Sequence, residues 1–202
     1  VTSHVDGFAP GDFVLSFNGW QDYAVSDGSG VTKLDQSGAH LSWALGILGM
    51  PGFTAWAGLT KIGTPKAGET IVVAAATGPV GATVGQIGKL LGCRVVGIAG
   101  GAEKCAYSVD DLGFDACIDY KDTSAPLRHQ LSAVATDGVD VYFDNTGGDI
   151  LQTALFAMKM KGRISCCGAV SMYDGKPKPG PMGIPGLLVT KRLRMEGFIV
   201  SD

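Results

Sequence analysis

The chain has few of the residues that build metal sites or disulfide frameworks. Its 202 residues include only three histidines, and its five cysteines contain no C-x-x-C pair. An odd number of unpaired cysteines is typical of reduced, partly buried thiols in a cytoplasmic protein. No histidine stands at a ligand spacing from a cysteine, so the sequence predicts no metal site within the chain.

Long apolar runs and strong charge are lacking as well. No apolar stretch reaches membrane-spanning length without a glycine or a charge, and no signal peptide is visible. The net charge is −3, and 17% of the residues are charged. A weakly acidic chain is a poor partner for nucleic acid. We therefore expect a globular, cytoplasmic protein that binds neither a membrane nor nucleic acid.

The catalytic patterns of hydrolases are missing. The sequence has no G-x-S-x-G motif and no Ser-His-Asp grouping. Its paired acids, Asp110 with Asp111 and Asp140 with Asp144, fall on a predicted helix and along a predicted strand. They do not converge on one pocket, so hydrolysis has no support in the sequence.

Glycine, in contrast, is abundant, with 31 residues. An apolar run beginning at Thr70 leads into Ala76-Thr-Gly-Pro-Val-Gly81 and then into a helix-periodic segment. This is the G-x-G-x-x-G pattern of dinucleotide sites with alanine in the first glycine position. Gly78 lets the backbone approach a pyrophosphate, and Gly81 lets the helix pack close to the strand. The flanking strand and helix favour a nucleotide site over a plain strand-turn-helix.

The next predicted strand, Arg94–Ala99, ends without an acid. Enzymes that prefer NAD place Asp or Glu there to bind the ribose 2′-hydroxyl. Here Ala99 and Gly100 follow, and Lys104 in the next helix can reach a 2′-phosphate as a flexible point charge. The alternative is a solvated Lys104 paired with an acid such as Asp110. The position of Lys104 favours NADP(H).

Strand-like and helix-like segments alternate after residue 68. Strands are predicted near 70–76, 94–99, 115–119, 139–144, 162–168 and 194–200, with helices near 79–91, 102–113, 124–135 and 148–157. The connection 171–192 is rich in Pro and Gly and has a short helix at its end. Before residue 68 the sequence predicts strands at 13–17, 20–25 and 31–34 and helices at 41–49 and 53–61. This is an α/β fold with a doubly wound parallel sheet and a small β-rich N-terminal part.

Polar side chains at the predicted strand ends are the candidate ligand contacts. Asn145 can bond the nicotinamide ribose or cap the next helix. Tyr120 can close over the adenosine phosphate or be a solvated strand-end tyrosine. Tyr173, on a glycine-flanked loop, can face a substrate or pack its ring. Thr54 can reach the nicotinamide side of the phosphates or bond within its own helix.

These residues together resemble the medium-chain dehydrogenase/reductase superfamily. Within it the chain is similar to the zinc-independent, NADPH-dependent double-bond reductases, which include prostaglandin, alkenal and curcumin reductases. The matching motifs are Gly19–Ala24 (GWQDYA), Leu48–Ala55 (LGMPGFTA), Val73–Gly81 (VAAATGPVG), Gly97–Lys104 (GIAGGAEK), Asp144–Gly148 (DNTGG) and Leu193–Val200 (LRMEGFIV). They span almost the whole chain, and their combination is far more specific than any one of them.

The resemblance implies a Rossmann domain and hydride transfer from NADPH to the β-carbon of an α,β-unsaturated ketone or aldehyde. The family's cofactor contacts match Gly78, Pro79, Val80, Gly81, Lys104, Tyr120, Asn145, Cys167, Gly168, Ala169, Val170, Ser171, Met172, Tyr173, Phe198, Ile199 and Val200. A tyrosine that matches Tyr173 lies near nicotinamide and substrate, which makes Tyr173 the candidate catalytic residue. Zinc-dependent relatives have a cysteine near Met50 and none stands here, so no metal is expected.

The resemblance also implies two parts and a partner copy. We expect residues 1–45 to be the end of a GroES-like catalytic domain and residues 46–202 to be an NADP-binding Rossmann domain. The chain is expected to be truncated at both ends and to form a homodimer at full length. A quinone reductase with the same cofactor site and a non-catalytic NADP-binding protein remain as alternatives.

Overall fold

Strands and helices alternate through residues 2–35, 40–175 and 180–201, the part of the chain that the computed structural model describes. The strands are β1 (Val14–Leu15), β2 (Thr32–Lys33), β3 (Thr70–Ala74), β4 (Arg94–Ala99), β5 (Ala116–Asp119), β6 (Val139–Asp144), β7 (Met158–Cys166) and β8 (Arg194–Gly197). The helices are α1 (Met50–Ala57), α2 (Pro79–Leu90), α3 (Ala102–Asp110), α4 (Leu127–Val134), α5 (Gly148–Ala157) and α6 (Ile184–Lys191). A 3-10 turn covers Leu41–Leu45, and a π-helical turn, Gly58–Gly63, continues α1.

Six strands form one parallel sheet in the order β5-β4-β3-β6-β7-β8. The chain builds outward from β3 to β5, then returns to the other side of β3 and continues to β8. This is the Rossmann strand order, and the predicted doubly wound sheet is confirmed. The order reverses between β3 and β6, where a crevice opens at the carboxyl ends of the strands.

Buried apolar residues cover both faces of the sheet. All five residues of β3 are buried, so it reads as a continuous apolar run and not as an alternating one. On one face Val72 packs in a cluster with Tyr142 and Leu155. On the other, Ile71 packs with Phe143. Each fully buried side chain of this size contributes about 1.5–3 kcal/mol, so the core holds the strand ends in place.

Most of the predicted elements are confirmed, with shifted boundaries. β7 begins at Met158, four residues before the prediction, because the strand continues through an irregular stretch in which Lys161 has a φ of 62°. α4 begins at Leu127, after Pro126, and the predicted short helix near the end of the 171–192 connection is α6. Residues 176–179 of that connection lie outside the described ranges.

The N-terminal part differs from the prediction. β1 and β2 pair as an antiparallel ribbon, but the strand predicted at 20–25 is wrong: Trp20 and Tyr23 are almost fully exposed and pair with no strand in the described residues. A β-type sequence pattern forms a strand only where a neighbouring strand completes the ladder. The helix predicted at 41–49 is only a 3-10 turn. Pro51, predicted to separate two helices, lies in the first turn of α1, where its missing N–H is not needed.

The described residues contain neither a membrane span nor a metal cluster. No helix among them is long and apolar enough to cross a bilayer. No three His, Cys, Asp or Glu side chains in the described ranges lie together as metal ligands. All five cysteines are free thiols, and burial raises the pKa of both Cys117 and Cys166 to about 12.

Candidate nucleotide-binding site

A cleft of about 890 Å³ opens above the carboxyl ends of β3, β4, β5 and β6. It crosses the point where the strand order reverses, which is where open α/β sheets bind their ligands. The residues that line it are Ala75, Thr77, Gly78, Ala99, Gly100, Glu103, Lys104, Tyr107, Tyr120, Thr146, Ile150, Val170 and Ser171.

The glycine turn between β3 and α2 is held in a tight conformation. Ala75 adopts the left-handed region with a φ of 51°, one residue before the first motif position. A non-glycine residue in that region costs roughly 1 kcal/mol. A Cβ on Gly81 would lie 2.3 Å from the carbonyl oxygen of Ala75, so only glycine fits there. This is the close helix–strand contact that the motif predicted.

The helix α2 begins at the cleft, where its N-cap residue lines the wall. The N-cap is Gly78, which has no side chain to cap the helix, and Pro79 has no N–H. The N–H groups of the next residues, Val80 and Gly81, are therefore available to an outside acceptor. Together with the helix dipole they favour an anion such as a phosphate.

The chain has no acid at the end of β4, where Ala99 and Gly100 stand. The nearby carboxylate comes from Asp119 at the end of β5, whose Oδ1 accepts the Gly101 N–H at 2.8 Å. Lys104 lies on α3 with an exposed side chain, and its ammonium has no ion pair or hydrogen bond within the described ranges. The alternative in which Lys104 pairs with Asp110 is therefore not observed in the described residues. Tyr120 covers the backbone of Gly100: a Cβ there would lie 2.9 Å from the tyrosine hydroxyl.

The loop after β6 is anchored by Asp144. Its Oδ1 accepts hydrogen bonds from the Tyr142 hydroxyl (3.0 Å) and from the N–H groups of Thr146 (3.0 Å) and Gly147 (2.9 Å). Burial raises the pKa of Asp144, and these donors oppose that rise. Asp144 therefore supplies the side chain that bonds the N–H groups just before α5, a role the sequence analysis had offered as an alternative for Asn145.

Asn145 instead joins two strands across the crevice. Its Nδ2 donates to the carbonyl oxygen of Ala74 at the end of β3, 2.8 Å away. β3 and β6 are the two strands on either side of the reversal point. Asn145 therefore lies at the floor of the crevice but is not among the cleft-lining residues.

The loop after β7 runs along the loop after β6. The N–H groups of Cys167 and Gly168 donate to the backbone oxygen of Asp144, at 2.9 and 3.0 Å. The Ser171 hydroxyl donates to the backbone oxygen of Thr146, at 2.6 Å. These bonds bring Val170 and Ser171 to the cleft wall.

The remaining predicted contacts lie outside the cleft wall. Thr54 is buried, and its hydroxyl donates a hydrogen bond to the backbone oxygen of Met50, one turn back in α1 (2.7 Å). Thr54 thus bonds within its own helix, the alternative to reaching the phosphates. Phe198 packs edge-on against Phe143, with ring centroids 6.5 Å apart. Tyr173 is 71% exposed, and its hydroxyl accepts a bond from the Ala169 N–H (3.2 Å). Ala169, Met172, Ile199 and Val200 lie beside these residues on the same two loops.

Besides Ala99 and Gly100 at the end of β4, six cleft residues were not among the predicted contacts: Ala75, Thr77, Glu103, Tyr107, Thr146 and Ile150. Tyr107 follows Lys104 by three residues on α3, and this spacing places both on one helix face. Thr146 and Ile150 flank the start of α5. Their signal was available in the helix period and in the strand-end rule, but the motif analysis did not use it.

The sequence is similar to enzymes that act with NADPH. The family described as zinc-binding dehydrogenase matches residues 79–202. The NADPH-dependent curcumin reductase of Escherichia coli (strain K12) is 50% identical over 206 residues, covering 100% of this chain and 59% of that protein. Prostaglandin reductase 1 of Rattus norvegicus is 47% identical, covering 100% of this chain and 61% of that protein.

A solved structure agrees with the fold. CurA from Vibrio vulnificus in complex with NADPH is 48% identical and superimposes with a TM-score of 0.88, covering 98% of this chain and 59% of that chain. The present chain thus spans about 60% of the length of the curated relatives it matches.

Proposed function

The chain belongs to the zinc-binding dehydrogenase family of the medium-chain dehydrogenase/reductase superfamily, and from this we propose that it is the nucleotide-binding part of an NADPH-dependent double-bond reductase. The substrate class is an α,β-unsaturated ketone or aldehyde. The observation that carries the proposal is the cleft at the reversal point, lined by Lys104 from α3 and by Ala99 and Gly100 where an acid would select NAD.

The residues present fit the dinucleotide. Gly78 lines the cleft, and Gly81 keeps α2 close to the end of β3, because a Cβ there would lie 2.3 Å from the Ala75 oxygen. The first turn of α2 offers N–H groups to the pyrophosphate. Ala99 and Gly100 carry no carboxylate to repel a 2′-phosphate, and the ammonium of Lys104 is free to bind it. Tyr120 is placed to close over the same group.

Bound NADPH supplies a hydride for the β-carbon of the enone, after which the α-carbon takes up a proton. The chain's part is to orient the cofactor and exclude water. The paired loops after β6 and β7, held by Asp144 and Ser171, form the wall of the cleft on the β6 side. We assign Cys167–Tyr173 and Phe198–Val200 to the nicotinamide end and keep Tyr173 as the candidate residue facing substrate.

The division into parts stays a proposal. We assign residues 1–45 to the end of a GroES-like catalytic domain and residues 46–202 to the NADP-binding domain. Support comes from the separate two-stranded ribbon and six-stranded sheet. We further propose a zinc-independent, cytoplasmic homodimer, in which the edge strand β8 is free to pair with a partner copy.

Equilibrium titration of the protein with NADPH and NADH, followed by fluorescence, tests the cofactor. We expect tighter binding of NADPH, by about tenfold or more, and loss of that preference in Lys104→Ala because a charged phosphate contact is removed. Equal affinity for both cofactors in the wild-type protein would contradict the assignment.

The reaction is tested by following NADPH oxidation with a panel of enones and enals, using the enzyme at the full length of its relatives. Turnover with these compounds supports the proposal. Turnover with quinones alone would instead support a quinone reductase. NADPH binding by that full-length enzyme without turnover of any compound would support a non-catalytic NADP-binding protein.

A further inference from the structure

A second lysine reaches the place where the ribose-binding acid would stand. A Cβ on Gly100 would lie 3.0 Å from Cε of Lys121, so the Lys121 side chain lies across the Gly100 backbone. Its ammonium is one bond beyond that carbon. Gly100 lines the cleft, and Lys104 lines it from the next helix. Two cations from different elements therefore flank the position that selects the cofactor.

The backbone that carries Lys121 is well anchored. Oδ1 of Asp119 accepts hydrogen bonds from the Lys121 N–H (2.9 Å) and from the Gly101 N–H (2.8 Å). The Tyr120 N–H donates to the Ala99 oxygen at 3.0 Å. These bonds join the loop after β5 to the loop after β4, so the backbone of Lys121 is held beside Gly100 without a ligand.

The neighbouring acids Asp119 and Asp122 form no ion pair with Lys121 in the described residues. Oδ1 of Asp119 accepts the two backbone N–H groups, and Oδ1 of Asp122 accepts the Ser124 N–H at 2.8 Å. Lys121 Nζ has no ion pair or hydrogen bond in the described part of the chain, and neither has Lys104 Nζ. Glu103 is the carboxylate on the cleft wall itself. A ligand group with more than one negative charge would attract both ammonium groups.

We propose that Lys121 is a second specificity-determining residue for the ribose 2′-phosphate, and that it binds this group from the β5 side while Lys104 binds it from α3. The inference rests on the proposed function. A phosphate monoester carries a charge of about −1.5 to −2 at pH 7, which one lysine does not balance. Tyr120 lines the same cleft, lies against Gly100 and offers a hydroxyl donor to the same phosphate.

The test compares Lys121→Gln with Lys104→Gln and with the control Lys66→Gln. Lys66 is an exposed lysine that precedes β3 and is not one of the cleft-lining residues. The substitution Lys66→Gln therefore removes one positive charge without changing the site. Dissociation constants are measured for NADPH and NADH, and for adenosine 2′,5′-bisphosphate against 5′-AMP. Thermal unfolding of each ligand-free variant checks that the fold is kept.

We expect Lys121→Gln to weaken NADPH and adenosine 2′,5′-bisphosphate by about three- to tenfold, with NADH and 5′-AMP unchanged. The salt dependence of NADPH binding should decrease as well, because one screened charge is lost. Lys121→Arg should restore most of the affinity. The control should match the wild-type protein.

The outcomes that would overturn the inference are distinguishable. If Lys104→Gln loses the NADPH preference while Lys121→Gln behaves as the control, Lys121 does not bind the phosphate and the proposed function stands. If the wild-type protein does not prefer NADPH, the proposed function fails and the inference fails with it. If Lys121→Gln lowers the unfolding temperature, the inference is tested by Lys121→Arg and by the salt dependence of NADPH binding. Without restored affinity in Lys121→Arg and without a decreased salt dependence, the inference is overturned.

Discussion

The two ends of the parallel sheet treat their charges differently. Near the amino ends, three acids are paired with bases: Asp115 with Lys89 (2.7 Å), Asp140 with Lys159 (2.8 Å) and Glu69 with Arg163. Each of these acids also accepts a backbone N–H near the start of a strand. At the carboxyl ends, the lysines beside Gly100 have no partner in the described ranges.

This difference indicates that the amino ends of the sheet contribute to stability and the carboxyl ends to ligand binding. At the amino ends three acids are offset by bases, and each of these acids also accepts a backbone N–H of the fold. At the carboxyl ends the fold leaves cations, helix N–H groups and a left-handed Ala75 unsatisfied or strained. Such features persist when the surrounding core over-determines them, and they are typical of ligand sites. Substitutions at the two ends should therefore have separable effects.

The largest expected effect is at the amino end, in Arg163→Met. The Arg163 guanidinium donates to the Gly63 oxygen (3.0 Å), to the Thr64 oxygen (3.1 Å) and to the Glu69 carboxylate. Removing it leaves a half-buried carboxylate unpaired, which should cost about 3 kcal/mol of unfolding free energy. Urea unfolding measures this. NADPH affinity should not change.

The matched control is Arg128→Met on α4, whose guanidinium contacts only the neighbouring His129 ring among described side chains. Its unfolding free energy should stay within about 0.5 kcal/mol of wild type. Equal stability of the two variants would mean that the amino-end pairs contribute nothing.

The next effect is at the carboxyl end, in Gly81→Ala. The added Cβ would meet the Ala75 oxygen at 2.3 Å, so either α2 or the turn must move. Overpacking of this kind costs about 1–3 kcal/mol, and we expect NADPH binding to weaken by about 30-fold. Fluorescence titration measures the affinity.

Gly186→Ala in α6 is the control, because a Cβ there meets nothing within 4 Å. It should leave NADPH binding unchanged and stabilise the helix by up to about 1 kcal/mol. A Gly81→Ala variant that binds NADPH as the wild type does would show that the turn adapts freely.

The smallest effect concerns pH at the amino end. Burial alone would raise the pKa of Asp115, but hydrogen bonds from Lys89 and the Val95 N–H outweigh it and lower that pKa below 3.8. A depressed acid pKa stabilises the fold fully above the unfolded-state value and loses this stabilisation as pH falls through the folded-state value. The window is therefore below about pH 4.

Asp115→Asn should flatten the acid limb of the stability curve by about 0.5–1 kcal/mol, a small value because Lys89 is solvent-screened. Urea midpoints between pH 2.5 and 6 provide the measurement. An acid limb as steep as in the wild type would exclude Asp115 as a source of acid sensitivity.

Local sequence patterns predicted the elements around the cleft because neighbouring residue types are enough to determine each of them. The run from Thr70, the glycine turn and α2 each follow from residue types within a few positions. The predicted strand at 20–25 failed since its apolar residues need a pairing strand that the pattern cannot show. The helix predicted at 41–49 is only a 3-10 turn at Leu41–Leu45, because helical periodicity does not show how short a helix is.

The site was predicted in part. Gly78, Lys104 and Tyr120 followed from strand ends and motif spacing, and the structure brings them to one cleft. Thr54 was placed by its position before the first Rossmann strand, yet its hydroxyl is used inside α1. The role of Asp144 in holding the β6 loop was not anticipated, because its partners converge on one carboxylate oxygen only in the folded loop.

The sequence by itself determined the alternation of strands and helices, the glycine turn and the missing ribose-binding acid. Each of these is a property of residues close together in the chain, where sterics and backbone preference act directly. Tertiary structure alone decided that Lys121 approaches Gly100, that Asn145 spans to Ala74 and that Arg163 reaches Glu69. Those contacts join residues about 20 to 94 positions apart, and only the packing of the sheet brings them within bonding distance.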